Sequence, residues 1–68
     1  MDLKKQIGNQ IKQLRIKRGL SQQELGEKIN ASKQYIYGIE AGRKGCSIER
    51  LKEIADILDA KLTISITE

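Results

Sequence analysis

Ser21-Gln22-Gln23-Glu24-Leu25-Gly26-Glu27-Lys28-Ile29-Asn30-Ala31-Ser32-Lys33-Gln34-Tyr35-Ile36-Tyr37-Gly38-Ile39-Glu40-Ala41-Gly42 is the stretch that decides the fold. It opens on Ser-x-x-Glu, a capping box in which Ser21 and Glu24 each accept from the other's backbone amide. Leu25 and Ile29 follow one turn apart on one face. Asn30 tolerates the positive φ of a sharp turn. Ser32 can cap a second short helix that runs to Ala41, with Gly42 as its terminator. Leu25, Ile29, Ala31, Ile36 and Ile39 have packing roles, and Gly26 sits where the two helices come closest. Lys33, Gln34, Tyr37 and Gly38 are left directed outward. A short helix held rigidly away from a small core has the shape that enters a major groove.

The segments on either side supply that core. Leu3, Ile7, Ile11 and Leu14 recur at intervals of four, four and three, one stripe of a helix from about Leu3 to Arg18. Gly8 costs this helix about 1 kcal/mol of propensity. Gly19 suits a left-handed cap after Lys17 and Arg18. Ser47 starts a last helix with Glu49 in its first turn. Its inner stripe is Ile48, Leu51, Ala55 and Leu58, widened by Ile54 and Ile57, until Asp59-Ala60 breaks the pattern. The expected class is all-α: a compact four-helix unit over residues 1–60.

Residues 61–68 behave differently. Leu62, Ile64 and Ile66 alternate with Thr63, Ser65 and Thr67, a period of two rich in β-branched residues. This reads as a strand, and a lone strand exposes unpaired backbone groups that invite a partner. Its simplest partner is the same strand of a second copy, antiparallel about a two-fold axis. The expectation is a homodimer closed through Leu62, Ile64 and Ile66; the alternatives are a frayed tail or a short fifth helix.

Composition narrows the function. A chain of 68 residues buries only about 60% of its unfolded surface, so some added stabilisation is expected. One cysteine and no histidine allow neither an internal disulfide nor a credible zinc set. Association with another chain is the addition left, and no metal or cofactor is expected. The net charge of +4 is uneven. Residues 1–44 hold ten Lys and Arg against four Asp and Glu, and residues 45–68 hold three against five. A basic front points to a polyanion partner; the alternative is cations that merely solvate helix surfaces. No apolar run approaches the ~20 residues of a membrane span. The N-terminus lacks the apolar core of a secretory signal, and a free cysteine fits the reducing cytoplasm.

Enzyme chemistry has no footing. A nucleophilic cysteine needs a base such as histidine, and no Gly-rich phosphate loop follows a strand. Cys46 reads as a small apolar filler. Glu40 and Arg15 read as a structural ion pair at the edge of the core, with a phosphate contact as the alternative for Arg15. Either tyrosine could belong to the core. Among the outward residues, Gln can bond the edge of adenine twice, and Lys can donate to guanine O6 and N7. Gln22, at a helix start, can face a phosphate.

Leu14-Arg15, Arg18-Gly19-Leu20-Ser21-Gln22, Glu24-Leu25, Ser32, Ile36, Ile39-Glu40, Gly42 and Ser47-Ile48-Glu49-Arg50-Leu51 stand together at one spacing. On these residues the chain resembles the phage repressor and Cro type of helix-turn-helix family (XRE-like), from residue 7 to about 60. The resemblance implies a lambda-repressor-like fold. It places Gln22 on the DNA backbone, Lys33, Gln34, Tyr37 and Gly38 at the base-reading face, and Ser32, Tyr35, Arg43 and Lys44 on flanking sugar-phosphate. Departures are Gly26 for alanine, Asn30 for glycine, Tyr37 for a frequent serine, and Gly38, which removes a side chain that often reaches a base. Cys46 stands where proline is common, and the alternating tail replaces a fifth helix. That tail looks like the HipB-type antitoxins. The expected function is thus a sequence-specific transcriptional regulator, a dimeric repressor of a pseudo-palindromic operator on double-stranded DNA. The alternative is an antitoxin that binds a toxin protein and autoregulates its promoter.

Overall fold

The computed structural model describes residues 2–60, which form four helices: α1 (Leu3–Lys17), α2 (Gln22–Lys28), α3 (Lys33–Glu40) and α4 (Ile48–Ile57). Each helix begins on a side-chain cap that satisfies amides the helix leaves unpaired. Asp2 Oδ1 accepts from the amides of Lys4 and Lys5 at 3.0 and 3.3 Å. The Ser21 hydroxyl accepts from Glu24 N at 3.0 Å, and Glu24 Oε1 accepts from Ser21 N at 2.8 Å, completing the capping box. Ser32 and Ser47 cap α3 and α4 through the amides of Tyr35 and Arg50, at 3.0 and 3.1 Å. The turns expected at Gly19, Asn30 and Gly42 all take positive φ, at 73°, 55° and 75°. Asp59 does the same after α4, at 50°.

Ile11, Leu25, Ile29, Ile36, Ile39, Ile54 and Leu58 are buried together at the centre. Burying each such side chain contributes roughly 1.5–3 kcal/mol. α3 packs on both α1 and α2, and α4 closes against α2. Two crossings need a residue without a side chain. A Cβ at Gly26 would stand 2.6 Å from the Ala31 carbonyl oxygen. A Cβ at Gly8 would collide with the carbonyl oxygen of Ile39 and reach 2.9 Å from that of Glu40. Gly8 is therefore the point at which α1 admits the end of α3, not merely a weak helix former.

The stripe expected for α4 is narrower in the structure, with Leu51 packed on the core beside Ile54 and Leu58. Ile48 is 82% exposed and Ile57 38%, whereas Ile54 and Leu58 are fully buried. Two arginines dock this helix. Arg18 donates from Nε to the Leu58 carbonyl at 2.7 Å and from Nη2 to that of Asp59 at 3.0 Å, satisfying acceptors at the end of α4. Arg50 Nη1 donates to the Ile29 carbonyl at the end of α2, at 2.7 Å. The expected strand, with Leu62, Ile64 and Ile66, lies outside the described residues. Among those residues, no helix is long and apolar enough to cross a membrane.

Candidate nucleic-acid interface

α3 is set from beneath. Ile36 and Ile39 are buried against Leu25 and Ile29. At its far end Glu40 accepts from Arg15 Nε at 2.6 Å and from Nη2 at 3.0 Å, a two-pronged ion pair. Arg15 Nη1 also donates to the Leu20 carbonyl at 2.7 Å, and Gln22 Nε2 donates to Glu40 Oε1 at 3.1 Å. One carboxylate thus ties α1, the start of α2 and the end of α3. The pair is largely shielded, with side chains 11% and 3% exposed. Hydrogen bonding to Glu40 raises the Arg15 pKa further although burial opposes it.

The outer surface of α3 carries the expected polar groups. Lys33, Gln34 and Tyr37 are exposed, and the Arg43 guanidinium stands 5.9 Å from the centre of the Tyr37 ring. Ser32 is exposed but spends its hydroxyl on the cap of α3. Tyr35 is half-buried against the core. Lys44 Nζ and the Arg50 guanidinium stand 5.8 and 5.5 Å from its ring centre, within cation–π range. Gln22 is half-buried, and its side chain is held by Glu40 rather than free.

Gly38 departs from expectation. It is buried rather than facing outward, because the Lys44 side chain lies across it. With no side chain and no open surface, it has nothing to offer a base.

Two cations that were not among the expected site residues border them. Arg50 joins the Tyr35 cluster, and Lys12 of α1 lines a shallow depression with Gln22, Tyr37, Glu40 and Ala41. Neither follows from local pattern, because each depends on how whole helices dock. Cys46 is half-buried, and burial pushes its thiol pKa up despite the opposing charge of Arg50. It therefore stays protonated at neutral pH, as a packing residue does.

This geometry has counterparts. The HTH_3 helix-turn-helix family profile matches residues 11–64. The chain belongs to that family. An HTH-type transcriptional regulator, y4dJ of Sinorhizobium fredii, is 34% identical over 58 residues, covering 85% of this chain and 75% of its own. The clp gene regulator ClgR from Corynebacterium glutamicum superposes with a TM-score of 0.84 at 30% identity. That match covers 88% of this chain and 64% of ClgR. The restriction-modification controller C.AhdI from Aeromonas hydrophila superposes at 0.80 and 28% identity, over 85% of this chain and 84% of that one. A second controller, C.Esp1396I, solved as a tetramer in complex with its natural 35 base-pair operator, superposes at 0.79 and 30% identity. It covers 90% of this chain and 80% of its own. The protein is thus an HTH-type transcriptional regulator by family, and that family is one of DNA-binding regulators rather than enzymes. None of these relatives is named as an antitoxin.

Proposed function

We propose that this protein is a dimeric repressor whose α3 enters the major groove of a pseudo-palindromic operator. The observation that carries this is the split character of α3: aliphatic and ion-paired beneath, polar and open above. Two copies of α3 would occupy successive major grooves about 34 Å apart. Lys33, Gln34 and Tyr37 would meet base edges. Gln22, Ser32, Tyr35, Arg43 and Lys44 would sit along the sugar-phosphate, setting register without reading sequence. The C.Esp1396I complex with operator DNA supports the reading by likeness of fold.

Within this reading, residues 1–60 form the DNA-binding domain and residues 61–68 the dimerisation strand, through Leu62, Ile64 and Ile66. The protein would act in the cytoplasm and carry no catalysis. Selection of bound sites from random duplexes tests the whole. Recovered sites should show two half-sites related by a dyad and spaced by one helical turn; unselective recovery would end the proposal. Sedimentation of a chain stopped at Ala60 tests the strand, since an undisturbed dimer would remove it from the interface.

A further inference from the structure

We propose that Gly38 is a seat for the Lys44 side chain, and that this seat holds the Lys44 ammonium over Tyr35, at the sugar-phosphate flank of α3. The inference rests on the reading of Lys44 as a phosphate contact and names the residue that positions it.

The seat is built by the backbone. After Gly42 the chain turns back, and the Gly38 carbonyl accepts from both Arg43 N and Lys44 N, at 2.9 and 3.2 Å. Lys44 therefore starts beside the helix the chain has just left. Its stem then crosses that helix at residue 38. A Cβ there would stand 3.0 Å from Lys44 Cδ and 3.3 Å from both Cγ and Cε. The ammonium ends 5.8 Å from the centre of the Tyr35 ring. Gln34 and Tyr35 lie four and three residues before Gly38, so each flanks it, on opposite sides of the channel that the lysine stem occupies. The cation is thereby held over the Tyr35 ring, at the edge of the α3 surface proposed to lie along the sugar-phosphate.

The same arrangement accounts for a glycine that the backbone does not demand. Among the glycines, positive φ occurs at Gly19 and Gly42, not at Gly38. A helical glycine is less favourable than alanine, so the position is kept open at some expense. A lysine stem laid along a surface also has fewer rotamers left to lose when the ammonium meets a phosphate.

The test is a double-mutant cycle in the full chain, read as affinity for a selected duplex across a salt titration. Lys44→Ala should weaken binding roughly tenfold, the loss of a charge-assisted bond. It should also flatten the log–log salt slope by about 0.9 per phosphate contact removed. Gly38→Leu fills the channel and should reproduce both effects. Gly38→Ala asks the stem to give by less, and should cost roughly two- to threefold. Combined with Lys44→Ala, either Gly38 substitution should add nothing further. Thermal melting separates binding from folding, because both replacements favour the helix and should melt no lower than the parent. Should the Leu variant melt lower, the cycle with Gly38→Ala decides.

Full additivity of the two losses would overturn the seat. So would normal affinity and slope in Gly38→Leu when Lys44→Ala has lost both; the phosphate reading would then survive alone. An unchanged salt slope in Lys44→Ala would remove the phosphate contact itself, and the seat with it.

Discussion

Gly8 and Gly38 are both buried helical glycines, one set against the C-terminal end of α3 and the other on its outward surface beneath Lys44. At Gly8 the space a side chain would need is taken by the backbone carbonyls of Ile39 and Glu40. At Gly38 the nearest occupants are methylenes of Lys44. Backbone at a helix crossing cannot step aside, because Ile36 and Ile39 pin it to the core. A lysine stem can. The inner side of this eight-residue helix therefore carries stability, whereas the outer side can be altered at the expense of binding alone.

The sharpest way to break that contrast is at Glu40. Glu40→Ala would leave the shielded Arg15 guanidinium unpaired and should cost about 3–5 kcal/mol in denaturant unfolding. Stability falls by a large share of the total for a domain of this kind. A loss under about 1 kcal/mol would mean the pair behaves as a solvated surface bridge. Gln34→Ala on the outer side should leave melting unchanged and cost about 1–3 kcal/mol of operator affinity, with preference blurred at one base pair. Equal loss on random DNA would take Gln34 out of base reading.

The glycines themselves should respond with opposite signs. Gly8→Ala gains about 1 kcal/mol of helix propensity but meets fixed carbonyls, and overpacking of about 1–3 kcal/mol should leave it less stable. Gly38→Ala keeps the propensity gain. The same sign at both positions would erase the distinction between backbone and side-chain neighbours.

The smallest effect belongs to the exposed capping box. The Ser21 amide, and then its hydroxyl, hold the Glu24 carboxyl below the usual range. A carboxylate lowered in the folded state stabilises fully above its unfolded pKa, and the gain is lost as pH falls through the lowered value. Glu24→Gln should therefore melt slightly lower than the parent at neutral pH and match it in acid. A gap that persists in acid would assign the effect to packing.

Local features were legible early because their physics is local. The Ser21–Glu24 box, the Ser32 and Ser47 caps and the positive φ at Asn30 involve residues within three or four positions. Leu25, Ile29, Ile36 and Ile39 followed from periodicity, whereas the Arg15–Glu40 pair spans 25 residues and was one of two readings for Arg15 until the fold joined them. The expected α4 stripe gave Ile48 too central a place. At 3.6 residues per turn its apolar residues span about half the circumference, with Ile48 and Ile57 at the two edges and Ile54 and Leu58 near the middle. The bonds of Arg18 and Arg50 to carbonyls at the ends of α4 and α2 join residues 40 and 21 positions apart, and only the packed helices bring them together.

Residue order alone determined where helices start and stop, that α3 is apolar on one side and polar on the other, and that this pair of helices is a helix-turn-helix. Those properties depend on hydrogen bonds and spacing within a few residues. Only the packed molecule decided that Gly8 admits the end of α3, that Gln22 is tied to Glu40, and that Gly38 lies beneath Lys44 instead of facing a groove. Each of these depends on which distant atoms fill the space beside a residue, and occupancy of space is set by the docking of whole helices.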